Sequence, residues 1–301
     1  MKEGRNMENK LVKAMALNDH IRIYCVNTTN LCNKERMVHD LWPTSLATLG
    51  RVSSVASIMA AMLKNKDERI VVQINGGGPI GTVMVEANEN GHIRGFVGDP
   101  HIYLKYNESN KLAVGIAVGT EGYLKVTKDS NLKNNFTGQV ALQSGEIGDD
   151  FAYYFTTSEQ IPSVVSCGVL VDTDYSCKSA GALIIQLLPD ANEEDIVTVE
   201  EVLKTLKPIS TLIQEQEEPS LIIKSIFKDA TIVETKEVTW SCDCQKERFK
   251  MGLLTLNIND LKEMAQDEDE IEVKCEYCNK TYTFDKKELN EMVEFKAQCG
   301  K

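Results

Sequence analysis

The chain has 301 residues, and its 45 acidic and 33 basic side chains give a formal net charge of −12. Its apolar fraction of 42% and charged fraction of 26% are ordinary for folded proteins, which excludes global disorder, collagen-like repeats and a disulfide-dense miniprotein. The acidic balance argues against nucleic acid and against a membrane surface as partners, because both attract clustered Lys and Arg. The length predicts about two domains.

Residues 7–189 are predicted to form a core domain of mixed sheet and helix, so the expected fold class is α+β. Residues 44–65 follow Pro43 and are rich in small side chains, which predicts a buried helix; Arg51 and several Ser and Thr residues make it too polar to span a membrane. A second helix is predicted at residues 147–160. Alternating or short apolar runs between turn residues predict strands at residues 69–74, 82–87, 92–97, 113–118, 123–126, 137–142, 169–172 and 181–188. The N-terminus lacks the apolar segment of a secretory signal, so we expect a cytoplasmic protein.

The core domain carries one glycine-rich loop, Gly-Gly-Gly-Pro-Ile-Gly at residues 76–81. It lacks the Lys-Ser/Thr pair of a phosphate-binding loop and Pro79 removes a backbone donor, so a turn is the better interpretation. Ser144 is not in a Gly-x-Ser-x-Gly elbow. Cys25 and Cys167 lie in apolar runs and are predicted to fill the core. We therefore expect no enzymatic activity and no bound nucleotide.

Composition changes at residues 190–241, which hold 12 acidic residues, five lysines and no glycine. Ile196, Val199, Leu203 and Leu206 follow helical spacing, and a second short helix is predicted at residues 221–227. Isolated helices of this length are marginal in water, so each must bury its apolar stripe against something. This segment is either an ordinary helical subdomain or a metastable linker that exposes apolar side chains when its neighbours unfold.

Four of the nine cysteines lie close together near the C-terminus, as Cys242-Asp-Cys244 and, after thirty residues, Cys275-Glu-Tyr-Cys278. Two short-range cysteine pairs separated by a small fold are typical of a tetrahedral four-sulfur zinc site. Strand patterns at 270–275 and 281–284 flank the second pair, and a helix with a capping-box-like start follows. Residues 242–295 are thus predicted to form a small zinc-binding module that depends on its metal for stability.

The role of that module stays open from the residues alone. It is either an inert structural zinc ribbon or a redox switch, because thiolates that bind zinc are also oxidisable and each pair can form a local disulfide where its Cα atoms come within about 7 Å. A nucleic-acid-binding ribbon is excluded, since residues 242–295 carry 14 acidic and 8 basic side chains.

The cysteine pattern, at the C-terminal end of an acidic chain of this length, resembles that of the 33-kDa chaperonin family of bacterial redox-regulated heat-shock chaperones. The resemblance covers nearly the whole chain from about Met7. Further segments carry it, at residues 73–81, 91–96, 144–155, 158–162 and 179–189. Ala180-Gly181-Ala182 departs mildly from the paired glycines that the family often has there.

The resemblance implies an ATP-independent holdase that is inactive when reduced and bound to one zinc ion per chain. Oxidation would pair Cys242 with Cys244 and Cys275 with Cys278, release zinc and unfold the module. The linker would then loosen and expose a surface for unfolding client proteins, and the active form would be a homodimer. Two competing hypotheses are a thiol oxidoreductase that uses Cys275 and Cys278, which would lack the βαβ context of a thioredoxin-like motif, and a constitutive scaffold with an inert zinc ribbon.

Overall fold

A computed structural model describes residues 9–65, 68–109, 111–129, 135–267 and 269–299, without the side chains of Asp267 and Cys299. Met7, the predicted start of the core domain, and the Cys299 thiol lie outside the described part. The chain divides into two compact units, Met1–Ser241 and Cys242–Lys301.

The first unit is built from two sheets and seven helices within the described residues. In chain order its elements are β1 (Lys10–Ala16), β2 (Ile21–Asn27), α1 (Thr29–His39), α2 (Pro43–Ala61), β3 (Arg69–Asn75), β4 (Val83–Asn88), β5 (His92–Val97), α3 (Val114–Val118), β6 (Tyr123–Asp129), β7 (Phe136–Ala141), α4 (Gly148–Thr157), β8 (Ser163–Val171), β9 (Cys177–Leu187), α5 (Glu193–Thr205), α6 (Ile209–Glu215), α7 (Pro219–Ile226), β10 (Thr231–Glu237) and β11 (Thr239–Trp240). The predicted α+β fold class is confirmed.

The strand order is β10-β1-β2-β9-β8 in one sheet and β11-β5-β4-β3-β6-β7 in the other. All neighbouring strands are antiparallel except β11, which runs parallel to β5. Helix α2 contacts both sheets and is buried along almost its whole length. Its many Ala, Ser and Gly residues explain why it can be buried between the sheets, because small residues allow the strands on both sides to approach closely.

The five-stranded sheet is buried on both faces, and strand β2 shows how. Tyr24 and Val26 point into the main core around α2, whereas Ile21, Ile23 and Cys25 point to the opposite face. This alternation follows from the two-residue period of a strand. The sheet therefore separates two apolar clusters within the first unit.

Helices α5 to α7 cover that opposite face. The apolar residues that they bury on it are Val199, Ile209, Ile213, Ile222, Ile223 and, just after α7, Phe227. Polar contacts also join this segment to the sheet and its turns: His20 Nδ1 lies 2.7 Å from Asp195 Oδ2, Asn27 donates to the Glu217 carbonyl at 3.0 Å, and the Ser179 hydroxyl donates to the Ser210 carbonyl at 2.8 Å. Because α6 and α7 have only 7 and 8 residues, their helical structure depends on this apolar packing.

The helices predicted within residues 196–206 and 221–227 are confirmed as α5 and α7. The sequence interpretation missed the strands that follow: β10 pairs with β1 at the sheet edge, and β11 pairs with β5. The strand predicted at residues 113–118 is wrong. Val114–Val118 forms α3 instead, since a six-residue apolar run fits a buried helix turn as well as a buried strand.

The second unit is small. In chain order it contains α8 (Lys246–Leu253), α9 (Ile258–Asp267), β12 (Glu270–Lys274), β13 (Thr281–Asp285) and α10 (Lys286–Cys299). The antiparallel pair β12–β13 and the start of α10 agree with the sequence prediction. None of the helices in the described part of the chain has the length and apolar character that a membrane crossing requires.

Candidate metal centre

The second unit brings four cysteine thiols together. The Sγ atoms of Cys242, Cys244, Cys275 and Cys278 all lie within 4.8 Å of one another. Two close contacts join the halves of the motif: Cys244 Sγ to Cys278 Sγ is 3.3 Å and Cys242 Sγ to Cys275 Sγ is 3.9 Å. All four are reduced cysteines. The spacing read from the sequence therefore corresponds to a single cluster.

The first pair lies in an extended segment that ends where α8 begins. Tyr282 of β13 fixes this segment: its hydroxyl donates to the Cys244 carbonyl at 2.6 Å and lies 3.3 Å from the Cys244 sulfur. The Tyr282 ring packs against Phe249 of α8 with centroids 4.9 Å apart. Tyr282 was not singled out by the sequence analysis, and its position in the strand directly after Cys275-x-x-Cys278 was the available signal.

The second pair lies in the turn between β12 and β13. The Cys275 N–H donates to the Lys280 carbonyl at 2.9 Å, and the Asn279 N–H donates to the Cys275 carbonyl at 2.8 Å. Asn279 adopts a left-handed backbone conformation with φ of 62°, which Asn tolerates better than most residues. The backbone N–H groups of Cys278 and Tyr277 also point at the Cys275 sulfur. The turn thus holds two sulfurs on one side with donors that favour thiolate.

The thiols differ in acidity. Burial raises the pKa of Cys244, but hydrogen bonds from the Tyr282 hydroxyl and the neighbouring thiols outweigh this and lower the pKa to about 7. Burial also raises the pKa of Cys275, and there the backbone donors offset it only in part. Cys244 therefore carries a negative charge before Cys275 does.

The apolar core around this cluster is small. Its buried members within the described residues are Ala265, Tyr282, Phe284, Leu289 and Met292. An ion pair adds to it, with Lys246 Nζ 2.6 Å from Glu288 Oε1 and 4.8 Å from the centre of the Phe284 ring. A unit of this size has too little buried surface to be stable by apolar packing alone, so its stability depends on cross-links or on a metal.

The cluster fits a four-coordinate metal ion. Four sulfurs at the 2.3 Å distance typical of zinc would lie about 3.8 Å from one another in a tetrahedron, close to the separations in the structure. A set of four soft thiolate ligands selects zinc or an iron-sulfur centre over calcium or magnesium. The four cysteines can therefore hold a metal ion.

The glycine-rich loop of the first unit is a turn. The Gly78 N–H donates to the Val118 carbonyl at 2.9 Å, and the Ile80 N–H donates to the Ala117 carbonyl at 3.0 Å. A Cβ atom on Gly76 would lie 2.3 Å from the Gly119 carbonyl oxygen, so this position requires glycine. The backbone donors are committed to the chain's own oxygens, as the turn interpretation predicts.

The fold and the four-cysteine cluster together define a protein with a mixed α+β unit followed by a small unit whose four cysteines could hold a metal ion. Comparison with known proteins is more specific. The Hsp33 family profile, described as Hsp33 protein, matches residues 9–285. The 33 kDa chaperonin of Bacillus pumilus is 44% identical over 285 residues, which cover 94% of this chain and 98% of that protein. The 33 kDa chaperonin of Geobacillus kaustophilus is 42% identical over 288 residues, which cover 95% and 98%.

A solved structure gives the same result. The crystal structure of the 33 kDa chaperonin, a heat shock protein 33 homologue, from Thermotoga maritima matches with a TM-score of 0.88 and 35% identity, covering 97% of this chain and 99% of that one. The chain belongs to the Hsp33 family of chaperones.

Proposed function

We propose that this protein is an ATP-independent holdase that oxidation activates. In its reduced state one zinc ion would be held by Cys242, Cys244, Cys275 and Cys278, and the chaperone would be inactive in the cytoplasm. The observation that supports this most is the four-thiol cluster, which forms part of a unit with a very small apolar core.

The oxidative step follows from the chemistry of the thiols. We propose that an oxidant such as peroxide takes two electrons from each pair and joins Cys242 to Cys244 and Cys275 to Cys278. Each disulfide brings its two sulfurs to about 2.05 Å, which the tetrahedral cluster does not allow. Zinc bound at the cluster supplies folding free energy to the unit, so loss of the four ligands would unfold it.

The client-binding surface would come from residues 190–241. Helices α5 to α7 cover an apolar sheet face that includes Ile23 and Ile185, and their own buried side chains are apolar. If this segment detaches, both surfaces become available to the exposed apolar segments of an unfolding protein. The three-part division into residues 7–189, 190–241 and 242–295, with a metastable linker in the middle, is part of this proposal.

The decisive experiment measures light scattering from a thermally unfolding client protein, without nucleotide. We expect the peroxide-treated, mildly heated protein to suppress scattering and the reduced, zinc-loaded protein not to. Suppression by both forms would leave a chaperone without a redox gate, and suppression by neither would contradict the holdase. Sedimentation of the same samples tests the proposed homodimer of the active form.

Matched cysteine variants separate the metal cluster from other thiols. Cys275→Ser is expected to lower bound zinc below one equivalent and to disturb the inactive reduced state. Cys167→Ser, in β8 of the first unit, is the control and should keep both zinc and redox response. Full zinc content and a normal response in Cys275→Ser would show that the ligand assignment is wrong. Catalytic turnover of a disulfide substrate would instead favour an oxidoreductase.

A further inference from the structure

A second pair of thiols lies in the first unit, between helix α1 and strand β9. Cys32 is fully buried on α1, and Cys177, the first residue of β9, is 4% exposed. The Cys177 thiol is a neighbour of Cys32 and raises the pKa of the Cys32 thiol. They are far apart in sequence, and neither belongs to the four-cysteine cluster of the second unit.

Backbone contacts hold the two cysteines in place. The Asn33 side chain, next to Cys32, donates to the Cys177 carbonyl at 2.8 Å and accepts from the Cys177 N–H at 2.9 Å. A further bond lies close by: the Thr28 N–H, four residues before Cys32, donates at 2.9 Å to the carbonyl of Ala180, three residues after Cys177. Helix α1 is therefore fixed to the start of β9 at several points, and the cysteines cannot drift apart without breaking these bonds.

The pair is sealed on its inner side. A Cβ atom on Gly50 of α2 would lie 2.7 Å from Cys32 Sγ, so the α2 backbone packs directly on this sulfur. Glu35, one turn after Cys32, is also fully buried and accepts a hydrogen bond from Ser53 at 2.6 Å. The neighbouring Cys177 thiol and burial raise the pKa of Cys32, and Glu35 adds to this. Cys32 is thus protected while the unit is closed.

Cys177 is the more exposed member of the pair. This residue directly follows the turn at residues 172–176, where Tyr175 is 39% exposed and has a φ of 67°. A small opening of this turn would expose Cys177 and leave Cys32 in the core. The two thiols therefore differ in access, as a peroxide-reactive and a resolving cysteine do.

We propose that Cys32 and Cys177 form an intramolecular disulfide under oxidising conditions and constitute a second redox site of this chain. The Cys177 thiolate attacks the O–O bond of hydrogen peroxide, giving Cys177 sulfenic acid and hydroxide, which takes up the thiol proton to become water. The Cys32 sulfur then attacks the Cys177 sulfur, the S–O bond breaks, and a second water leaves. Peroxide is reduced, and two thiols are oxidised to one disulfide.

The disulfide would join α1 to β9 inside the main core of the first unit. Its consequence is that the first unit gains a cross-link under the same conditions in which the proposed function requires the second unit to unfold. The sheet that would present the client-binding surface then stays folded during oxidative heating. The chemical proposal concerns the first unit alone and does not depend on holdase activity.

The test uses the full chain, treated with peroxide, denatured, alkylated and digested without reductant. Mass spectrometry is expected to find a linked peptide that contains Cys32 and Cys177, and this peptide should be absent in Cys177→Ala. The control is Cys25→Ala, which removes another buried thiol of the same sheet and should leave the linked peptide present. Recovery of both cysteines fully alkylated, while the second unit is oxidised, would overturn the proposal. So would a link from Cys32 to any other cysteine.

A second measurement tests the consequence for stability. Trp42 and Trp240 are the only tryptophans and both lie in the first unit, so their fluorescence follows its thermal unfolding. Oxidised wild-type protein is expected to unfold at a higher temperature than oxidised Cys177→Ala, by a larger margin than separates the two reduced proteins. The same margin in the oxidised and the reduced samples would overturn the stabilising role. If the linked peptide forms but the oxidised protein does not suppress the aggregation of client proteins, the proposed function is refuted and the second redox site still stands.

Discussion

Ile223 offers a direct test of how firmly helices α5 to α7, the helical cover, bind the five-stranded sheet. Its side chain lies on α7, is fully buried and belongs to the apolar cluster between α5–α7 and the sheet. The substitution Ile223→Ala removes three carbons from this interface without adding charge or changing helix propensity unfavourably. The expected result is a cover that opens more often while the main core stays closed.

The magnitude follows from the burial. Replacing a fully buried Ile by Ala costs about 3 kcal/mol, since both the transfer free energy and a cavity contribute. If the cover opens as a local unit, its opening equilibrium changes by the same free energy. A factor of ten corresponds to about 1.4 kcal/mol, so the open population should rise roughly 100- to 200-fold.

Two native cysteines report the opening separately. Cys25 is fully buried on the covered face of β2, and Cys32 is fully buried in the main core on the other side of the sheet. Peptide-resolved alkylation of the reduced, zinc-loaded protein measures both rates in one sample. Ile223→Ala should accelerate alkylation of Cys25 roughly 100- to 200-fold and leave the alkylation rate of Cys32 unchanged.

The neighbouring residue supplies the control. Leu221 lies on the same helix and is 49% exposed, so Leu221→Ala should change Cys25 alkylation by less than about threefold. Equal acceleration at Cys25 and Cys32 would show that the first unit opens as a whole. No acceleration at Cys25 would show that α7 does not limit access to this face. Either result would refute a separately opening cover.

Three further predictions concern metal, tyrosine and pH. A strong chelator should abolish the secondary structure of the second unit, seen as a partial loss of circular dichroism, and leave the alkylation rate of Cys32 in the main core of the first unit unchanged; faster alkylation of Cys32 would contradict the separate metal dependence. Tyr282→Phe removes the donor to the Cys244 carbonyl and should weaken zinc binding about tenfold in a competition assay; unchanged affinity would show that this bond does not orient the ligand. Burial raises the pKa of Glu35 to about 8, so the folded state keeps a proton that the unfolded state has lost between about pH 4.5 and 8. Wild-type stability should fall across that range relative to Glu35→Gln, by up to about 1.4 kcal/mol per pH unit in denaturant titrations, and parallel pH profiles would contradict this.

The four-cysteine cluster was predictable from sequence because its information is local. Each cysteine pair spans only three or four residues, and the flanking strand patterns place the second pair in a turn. The structure adds Tyr282, whose hydroxyl reaches back to Cys244 across the unit. A lone Tyr in an alternating strand pattern gives no signal of such a contact, since the pattern records which face a side chain takes and not which residue it meets.

The same distinction, between a local sequence pattern and the contacts that a residue makes in the fold, explains which elements of the first unit were predicted. Turn residues and alternation predicted most of the core strands. The glycine loop was correctly interpreted as a turn, because it lacks the Lys-Ser/Thr pair of a phosphate-binding loop and contains Pro79. Residues 113–118 were wrongly predicted as a strand, since a short apolar run specifies burial and leaves the backbone conformation to the surrounding packing.

The sequence by itself determined that the chain is acidic and folded, that it carries four cysteines spaced as metal ligands, and that two amphipathic helices need a surface to cover. Only the tertiary structure decided which surface that is: the face of β2 that carries Ile23 and Cys25. Only the packing of α1 against β9 and α2 brings Cys177 beside Cys32 and buries Glu35 next to Ser53. Local spacing is written in the sequence, whereas contacts between distant segments depend on strand order and register, which follow from the packing of the whole unit.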